Sequence, residues 1–349
     1  MHSILVKTKK EYAVDIGGGL LKRIGARISF LSRAKKIMVV SDSTVFPLYG
    51  KKLLQSLEIL GAEIFTFVFE AGEERKRLST VEALLESLAE NHFTRSDVIV
   101  ALGGGVCGDM AGFAAAIYAR GIDFVQVPTT LLAAVDSSVG GKTAVDLCGG
   151  KNLCGAFHQP IAVICDTDTF KTLDEKTVGD GLAEMLKYGV ICDSELFERV
   201  QNFDSEDRDA LVARCVEIKN QIVSEDELDR GTRQLLNLGH TVGHAIEAAA
   251  NFTVTHGHGV ATGLAIISRA AEKKGLLPTA ECEKIISAIE KCSLPTKTDI
   301  DADTLFNLTL SDKKSDGDFV NLIIPTRVGK CEIARTDRSE LMSIIRSGL

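Results

Sequence analysis

Residues 97–109 read Asp97-Val-Ile-Val-Ala-Leu-Gly-Gly-Gly-Val-Cys-Gly-Asp109, and this stretch decides the fold class. Its apolar first half predicts a strand buried on both faces, as in a parallel sheet. Gly103, Gly105 and Gly108 then have the spacing G-x-G-x-x-G, which permits a tight turn into a helix and lets the backbone approach a dinucleotide pyrophosphate. A strand-to-helix turn that binds nothing is the alternative, because the motif follows about the third or fourth predicted strand and not the first.

Strand and helix signals alternate on both sides of this motif. Such alternation predicts an α/β domain with a parallel, Rossmann-like sheet that carries helices on its faces. An additional strand is predicted at Tyr12–Ile16, before the glycine turn at Gly17–Gly19. The other predicted strands are Lys36–Ser41, Glu63–Phe69, Asp97–Leu102, Asp123–Val127 and Ile161–Cys165, and the clearest helices are Val45–Leu60 and Thr80–Asn91.

The pattern changes after about Asp174, where helical periodicity replaces the strand signals. We therefore predict a dinucleotide-binding α/β domain over residues 1–174 and a mostly α-helical domain over residues 175–349, with the ligand between them. Phe319–Ile324 and Cys331–Ala334 flank a Pro325–Gly329 turn and predict a hairpin. The predicted helices of the second half are Gly181–Val190, Asp207–Asp229, Arg233–Ala249, Gly259–Lys274 and Thr279–Lys291.

The composition of the chain is that of a globular protein. Its 349 residues carry a net charge of −8, which argues against nucleic-acid partners, because those need a basic surface. No apolar stretch reaches the ~18 residues of a membrane span, and the N-terminus lacks the features of a signal peptide. The nine scattered cysteines form no Cys-x-x-Cys pair, so we expect reduced thiols in a cytoplasmic protein.

Four of the seven histidines lie between residues 240 and 258, and this density predicts a metal site. His240 and His244 are four residues apart in a helical pattern, so their rings share one face. No glutamate follows His240, so the His-Glu-x-x-His signature of metalloproteases is absent. Glu184, within an apolar helix, is a candidate third ligand. The spacing does not separate ligands from acid–base groups, and interior histidines with a helix-capping His-Gly loop are the alternative.

Residues 128–143 form a segment rich in hydroxyl groups and glycine, and this composition suits a phosphate or carboxylate ligand. Its end, Gly-Gly-Lys142-Thr, lacks the first glycine of a P-loop, since Asp136 stands there, so a nucleoside triphosphatase is excluded. Arg233 and Asn237 continue toward His240 as one polar stripe on a predicted helix, which is typical of a site or of a solvent face.

Asp42 follows a predicted strand end, and it suits either a ribose hydroxyl or a helix N-cap. Glu73 and Lys76 follow the next strand, on a loop that contains Gly72. The carboxyl ends of parallel strands line the ligand crevice of open α/β sheets, so these side chains are candidates for cofactor contacts.

Taken together, these segments resemble the 3-dehydroquinate synthases, the sugar-phosphate cyclases of the shikimate pathway. The resemblance runs in order over roughly residues 12–330, and its most specific parts are Pro128–Thr143 and Leu236-Asn-Leu-Gly-His-Thr-Val-Gly-His-Ala-Ile-Glu247. The other matching segments are Ala101–Asp109, Arg120-Gly, Gly181–Lys187 and His256-Gly. The resemblance implies bound NAD, a divalent metal ion (zinc or cobalt), a small phosphorylated keto-acid substrate and a homodimer.

The resemblance also implies the residues of the site. The implied metal ligands are Glu184, His240 and His256. The implied cofactor-binding residues are Asp42, Glu73, Lys76, Gly105, Val106, Gly108, Asp109, Thr129, Thr130, Lys142, Lys151, Thr169, Phe170, Lys171 and Thr172. The implied catalytic and substrate-binding residues are Arg120, Asp136, Lys142, Asn152, Lys187, Lys219, Arg233, Asn237 and His244. Among these, His244 is the candidate acid–base group, because imidazole titrates near neutrality.

The sequence departs from the family pattern at three positions and leaves one residue undecided. Asp174 replaces the proline that usually follows Thr-Leu. Asp229 stands where the family commonly has Glu, and His258 follows His256-Gly where Glu is usual. His258 is therefore a rival of His256 as a metal ligand. Either Lys313 or Lys314 matches a further substrate lysine.

The implied reaction converts 3-deoxy-D-arabino-heptulosonate 7-phosphate to 3-dehydroquinate and phosphate. It proceeds by transient oxidation with NAD, phosphate elimination, reduction, ring opening and internal aldol closure. Three alternatives remain. Cyclases of the 2-epi-5-epi-valiolone or 2-deoxy-scyllo-inosose synthase type act on sugar phosphates without a carboxylate, metal-dependent alcohol dehydrogenases release NADH, and a scaffold would only bind a metabolite.

Overall fold

The computed structural model describes residues 1–203, 206–251, 253–310, 315–316 and 319–349. Its internal contacts group the chain into a first unit, Met1–Leu173 with Arg208–Leu228, and a second unit, Asp174–Asp207 with Asp229–Leu349. The two continuous domains expected from the sequence stay a prediction. The two units differ from the predicted domains in one respect. The segment Arg208–Leu228 was predicted in the second domain, but it belongs to the first unit by its contacts.

The regular elements of the described residues alternate in the first half and are mainly helical in the second. The strands are β1 (His2–Val6), β2 (Tyr12–Gly17), β3 (Lys36–Asp42), β4 (Glu63–Phe69), β5 (Val98–Gly103), β6 (Asp123–Pro128), β7 (Lys142–Leu147), β8 (Gly150–Phe157), β9 (Ala162–Asp166), β10 (Ser315–Asp316), β11 (Phe319–Arg327) and β12 (Lys330–Asp337). The α-helices are α1 (Ile24–Leu31), α2 (Lys51–Leu57), α3 (Leu78–Glu90), α4 (Gly105–Ile117), α5 (Glu175–Cys192), α6 (Ser194–Val200), α7 (Arg208–Glu225), α8 (His240–Ala249), α9 (His256–Lys273), α10 (Thr279–Lys291), α11 (Ala302–Thr309) and α12 (Arg338–Gly348).

Shorter turns of 3-10 and π type connect several of these elements. The 3-10 turns are Leu20–Arg23, Glu58–Leu60, Glu73–Arg75, Tyr118–Arg120, Thr167–Thr172 and Thr232–Asn237, and the π turns are Phe46–Gly50 and Ala133–Ser137.

The first unit is built on a seven-stranded sheet in the order β1-β2-β9-β6-β5-β3-β4. Only β1 runs antiparallel to its neighbour, and the other pairs are parallel. Alternate residues of β3 face two separate cores, with Met38 on the side of α3 and α4 and Ile37 on the side of α1 and α2. Burial on both faces explains the continuous apolar runs from which the parallel α/β sheet was predicted, and that prediction is confirmed.

Three features of the first half were not predicted. Strand β1 lies at the edge of the sheet near the N-terminus, where no strand was predicted, and its residues are mostly exposed. Strands β7 and β8 form an antiparallel hairpin where the sequence indicated a polar loop and its continuation. The predicted helix Val45–Leu60 is divided into a π turn, α2 and a 3-10 turn.

The second unit holds three closely packed helices, α5, α8 and α9. Glycine permits this packing, because a Cβ on Gly263 would lie 2.1 Å from the carbonyl oxygen of Gly239, and one on Gly243 would lie 2.9 Å from the backbone of Gly259. Where α9 meets α5, a Cβ on Gly257 would lie 2.3 Å from the Cα atom of Asp180. The backbones of the three helices therefore touch directly, and short distances between their side chains follow.

The remaining parts of the second unit complete its fold. Strands β10, β11 and β12 form a small antiparallel sheet, and the predicted hairpin is confirmed with longer strands. Pro325 lies within β11, so the turn is shorter than the predicted Pro325–Gly329. All nine cysteines lie in the described ranges, and none of them forms a disulfide bond. No helix of the described residues combines the length and the apolar character that crossing a bilayer requires.

Candidate active site

The first residues of two helices and one residue from the middle of a third form a compact group of metal-binding side chains. His240 begins α8, His256 begins α9, and Glu184 lies in α5. The Oε1 atom of Glu184 is 3.5 Å from Nε2 of His240 and 3.4 Å from Nε2 of His256. One ligand atom from each residue lies within 4.8 Å of the other two. The geometry thus brings together the three residues that the sequence suggested as ligands.

The carboxylate of Glu184 indicates whether a metal ion fits here, because it is fully buried and needs a partner for its charge. Neither oxygen has a hydrogen-bond partner of normal geometry among the described residues. Lys187 forms an ion pair with Oε2, and the two imidazoles face Oε1. A buried carboxylate with unsatisfied oxygens is costly, and one carboxylate with two imidazoles is a ligand set that Zn²⁺ and Co²⁺ accept. The residues fit a divalent cation.

The hydrogen bonds of the two histidines leave the same nitrogen available for that cation. Nδ1 of His240 is 3.1 Å from the carbonyl oxygen of Leu238, and Nδ1 of His256 is 2.9 Å from Oε1 of Glu247. With the proton on Nδ1, each ring donates to its acceptor and turns the Nε2 lone pair toward Glu184. Burial lowers the pKa of His256, but the attraction of Glu247 and Glu184 outweighs it and raises the pKa to about 10. The site therefore favours positive charge.

The other two histidines of the cluster have different surroundings. The ring of His244 lies 5.3 Å from that of His240 and 5.8 Å from that of His256, so it is beside the ligand group. Nδ1 of His258 is 3.0 Å from Oδ1 of Asp180 and 2.9 Å from Oγ1 of Thr255. His258 is thus held at the start of α9, and the groups with metal-ligand spacing in the described part of the chain do not include it.

The predicted helix that joined Arg233 to the histidines is wrong. Arg233 and Asn237 lie in the 3-10 turn Thr232–Asn237, and Gly239 with a φ of 77° separates this turn from α8. A left-handed residue ends the helical pattern, so one continuous polar stripe does not exist. The turn packs against α5, the helix that carries Lys187. Arg233 and Lys187 are both buried, with 2% and 1% of their surface exposed.

The glycine-rich motif of the first unit forms the predicted turn between β5 and α4. A Cβ on Gly108 would lie 2.4 Å from Oε1 of Gln126, so a larger residue there would require the Gln126 side chain to move. The backbone N–H of Thr129 donates to the carbonyl oxygen of Gly103 at 3.0 Å. The Thr129 hydroxyl is buried and has no hydrogen-bond partner among the described residues. A helix N-terminus next to an unsatisfied hydroxyl fits a polar, anionic ligand such as a dinucleotide.

A network of charges links several predicted cofactor and substrate residues. Nζ of Lys76 donates to Oδ2 of Asp109 and to Oδ1 of Asn152, at 2.6 Å in both cases. Nζ of Lys151 is 3.2 Å from Oε1 of Glu73. Burial alone would lower the pKa of Lys76, but Asp109 and Glu73 outweigh it and raise the pKa. The network connects the segment after β4, helix α4 and the β7–β8 hairpin within the first unit.

Two further predicted residues of the first unit are paired with each other. Nζ of the buried Lys219, on α7, contacts the backbone carbonyl oxygen of Asp136 and lies 2.9 Å from its Oδ1. Lys142 begins β7 and is exposed. Asp42 accepts the backbone N–H groups of Thr44 and Val45, both at 2.9 Å, and so closes a turn after β3, while its role at a ribose hydroxyl stays a prediction.

The remaining cofactor candidates, Thr169 to Thr172, form the 3-10 turn after β9. Thr169 and Phe170 are buried, and the hydroxyl of Thr172 is 2.5 Å from that of Tyr49. Lys171 is exposed and pairs with Asp168 at 2.6 Å.

One predicted substrate position is not brought to these groups, and a second lies outside the described residues. Arg120 is exposed and precedes β6, at the opposite end of that strand from Thr129. The chain does not place Arg120 beside the other predicted residues of its unit. Lys313 and Lys314 lie outside the described residues. The roles of all these residues stay predictions.

Two residues that support the site were missed by sequence reasoning. Glu247 contacts His256, and its position seven residues after His240 is the signal that places both on one face of α8. Asp146 is buried, and its Oδ1 accepts the backbone N–H of Asn152 at 2.7 Å. Asn152 has a left-handed φ of 53°, and no sequence signal indicated this turn.

Two family models match consecutive parts of this chain. The model described as 3-dehydroquinate synthase N-terminal matches residues 66–180, and the model described as 3-dehydroquinate synthase C-terminal matches residues 181–315. The chain belongs to the 3-dehydroquinate synthase family. This confirms the resemblance drawn from the sequence motifs.

Curated members of the 3-dehydroquinate synthase family match nearly the whole chain. The 3-dehydroquinate synthase of Clostridium acetobutylicum is 41% identical over 345 residues, which are 97% of each chain. That of Streptococcus suis is 43% identical over 343 residues, covering 96% of this chain and 97% of the relative.

Solved structures share the fold of this 3-dehydroquinate synthase family member. A 2-deoxy-scyllo-inosose synthase, complexed with carbaglucose-6-phosphate, NAD⁺ and Co²⁺, matches with a TM-score of 0.89 and 28% identity over all of both chains. The 2-epi-5-epi-valiolone synthase of Streptomyces hygroscopicus, with NAD⁺ and Zn²⁺ bound, matches with a TM-score of 0.89 and 25% identity, covering 100% of this chain and 99% of that one. A probable glycerol dehydrogenase of Sinorhizobium meliloti has a TM-score of 0.66 at 16% identity, covering 96% of this chain and 95% of that one, and shows the fold alone.

Proposed function

We propose that this chain converts 3-deoxy-D-arabino-heptulosonate 7-phosphate to 3-dehydroquinate and inorganic phosphate. The observation that carries the proposal is the buried group of Glu184, His240 and His256, in a chain whose curated relatives bear the name 3-dehydroquinate synthase. A metal-binding group next to an acid–base candidate suits a reaction that ionises a substrate hydroxyl and moves protons.

We propose NAD and one divalent cation, zinc or cobalt, as the cofactors. Two solved relatives contain NAD⁺ with Co²⁺ or Zn²⁺, and the residues described above fit both groups. When bound, NAD supplies a reversible hydride acceptor and the cation supplies Lewis acidity at a substrate oxygen. Glu184, His240 and His256 would hold the cation, while the glycine turn and the Lys76 network belong to the proposed NAD site.

The chain's own residues supply proton transfer and charge. His244 lies beside the ligand group and outside the triad of Glu184, His240 and His256, and we propose that its imidazole holds and returns a proton. Lys187 and Arg233 are buried cations of the second unit, and burial reduces the screening of their charge by solvent. They suit the anionic groups of the substrate. Contacts of Lys142 and Lys219, in the first unit, with the substrate stay predictions from the sequence.

Two other reactions remain as candidates. The solved cyclases named above make a sugar phosphate without a carboxylate the rival substrate, and a net oxidation by a metal-dependent alcohol dehydrogenase is the second alternative. The buried Arg233 supports the keto acid, because an anionic carboxylate offers it a bidentate partner. A homodimer, a cytoplasmic location and the absence of nucleic-acid and membrane partners stay predictions.

One assay separates these candidates. Purified protein is incubated with NAD, Zn²⁺ and either the heptulosonate phosphate, sedoheptulose 7-phosphate or glucose 6-phosphate, while phosphate and NADH are measured. We expect phosphate release from the heptulosonate alone, without accumulation of NADH. Phosphate release from a neutral sugar phosphate would assign the chain to another cyclase activity, and steady formation of NADH with an alcohol would indicate a dehydrogenase.

A further inference from the structure

Glu247 is a buried carboxylate next to the ligand group. Only 1% of its surface is exposed, and it lies on α8, two helical turns after His240. Its Oε1 atom is 2.9 Å from Nδ1 of His256, a length typical of a charge-assisted hydrogen bond. The family resemblance assigned no role to this residue. A charged side chain is rarely buried so fully without a specific partner, and here the partner is His256.

The ring of His256 is held at two different edges. Glu247 faces Nδ1, while Oε1 of Glu184 lies 3.4 Å from Nε2. A carboxylate at Nδ1 fixes the ring orientation and keeps the proton on that nitrogen, so that Nε2 offers its lone pair. His240 has the equivalent support from the backbone carbonyl oxygen of Leu238, which no substitution removes.

We propose that Glu247 is a positioning residue that holds His256 in the orientation and tautomer required for cation binding through Nε2. This inference rests on the cation of the proposed function, and it concerns how tightly that cation is held. Glu247 connects α8 to the first residue of α9, so it also couples the two helices that carry the imidazole ligands.

A direct ligand role is the alternative for Glu247, since His244, Glu247 and His256 also have metal-ligand spacing. In that arrangement the Nδ1 edge of His256 would face the cation. The fully buried Glu184 favours cation binding at Nε2 of His256. With the cation at Nδ1 instead, the unsatisfied oxygens of Glu184 would have only the ammonium group of Lys187 as a cationic partner. If Glu247 positions His256, its loss should keep one cation per chain. If Glu247 is a ligand, its loss should remove the site.

The test uses the full chain after removal of metal, and it measures the Kd for Zn²⁺ by competition with a chelator. Glu247→Ala should weaken Zn²⁺ binding about 10- to 100-fold and keep one site per chain, because second-sphere carboxylates have effects of this size. Glu247→Gln keeps an oxygen acceptor for Nδ1 and should weaken binding less. The Co²⁺ absorption spectrum should retain the intensity of the wild type, since the set of directly bound atoms is unchanged.

Asp180 provides a matched control on α5, which also packs against α9. Its Oδ1 is 3.0 Å from Nδ1 of His258, so it makes the same kind of contact with a histidine outside the ligand group. Asp180→Asn should leave the Kd for Zn²⁺ near the wild-type value, and this compares directly with Glu247→Gln. Thermal unfolding and NAD binding of each metal-free variant check that it is folded.

Each result decides between the roles. An unchanged Kd in both Glu247 variants would overturn the inference and leave the proposed function intact. Loss of the site, or a Co²⁺ spectrum with an altered coordination number, would make Glu247 a direct ligand and also overturn it. If the Ala variant does not fold, the near-isosteric Gln variant decides by comparison with Asp180→Asn. A wild-type chain that binds no Zn²⁺ would instead overturn the proposed function itself.

Discussion

Single residues in the second unit distinguish a proposed cation ligand from its neighbour, and two histidines show this most clearly. His256 and His258 are two positions apart, yet one faces Glu184 and the other is bound to Asp180. The sequence predicted a metal site from the density of histidines, but spacing alone left these two as rivals. Their difference comes from helix α9, on which positions two apart point to different sides, and from the carboxylate on each side.

His256→Ala should remove the cation and lower turnover by at least about 100-fold, because the Lewis acid is lost with its ligand. Metal content by mass spectrometry and phosphate release measure the two effects. His258→Gln is the control, and it should keep both the metal and the activity. Full metal occupancy in the Ala variant, or loss of metal in the Gln variant, would indicate that His258 and not His256 is the ligand.

Arg233→Ala should reduce kcat/KM by about 100-fold or more, since truncating one partner of a desolvated charge pair costs ~2–5 kcal/mol. Metal content should stay at the wild-type level, because Arg233 is outside the groups with metal-ligand spacing. Arg233→Lys keeps the charge without the fork of donors and should recover only part of the loss. An unchanged kcat/KM would place Arg233 outside the substrate pocket.

At the scale of elements, the backbone contact between α8 and α9 brings His240 and His256 close enough to share an ion. Gly239 and Gly243 precede and line α8, and Gly259 and Gly263 line α9. No role was predicted for these glycines, because helical periodicity is recognised from apolar residues and not from the absence of a side chain. The predicted helix also began too early and ran through Gly239, whose left-handed φ is required only by the tertiary structure.

Gly263→Ala should destabilise the protein by at least ~1–3 kcal/mol, because a Cβ 2.1 Å from the Gly239 carbonyl forces the helices apart. The affinity for Zn²⁺ should fall as well, since its ligands come from both helices. Denaturant unfolding and chelator competition measure these effects. Gly149→Ala is the control, because its Cβ would meet only a Leu153 methyl group at the ordinary distance of 3.5 Å. Equal stability of the two variants would contradict the close contact.

In the molecule as a whole, much of the architecture was predictable, and the β7–β8 hairpin is the unpredicted element that concerns the candidate site. Strand β4 and helix α10 have the predicted bounds, because their apolar residues follow a single period and end at turn signals. The β7–β8 hairpin escaped prediction, since its glycines and hydroxyl groups resemble a loop and its pairing joins Lys142 to Phe157 across the chain. That hairpin carries Lys151 and Asn152, so the missed element is also a part of the candidate site.

Helix α7 shows how the order of the chain differs from the grouping of its contacts. The polypeptide leaves the α/β unit after Leu173, returns for α7, and leaves again at Leu228. Residues of α7 such as Leu211 and Val216 are fully buried, and the helix packs against β1 and β2. Its Lys219 also contacts Asp136.

A gene fragment that stops at codon 174 therefore encodes an incomplete body, whose exposed apolar face invites aggregation. We expect that polypeptide to be insoluble when expressed alone, and to become soluble when a second plasmid supplies residues 175–349. A monodisperse fragment 1–174 would contradict this. We thus expect that dividing the enzyme at the apparent domain boundary yields two pieces that fold only when both are present.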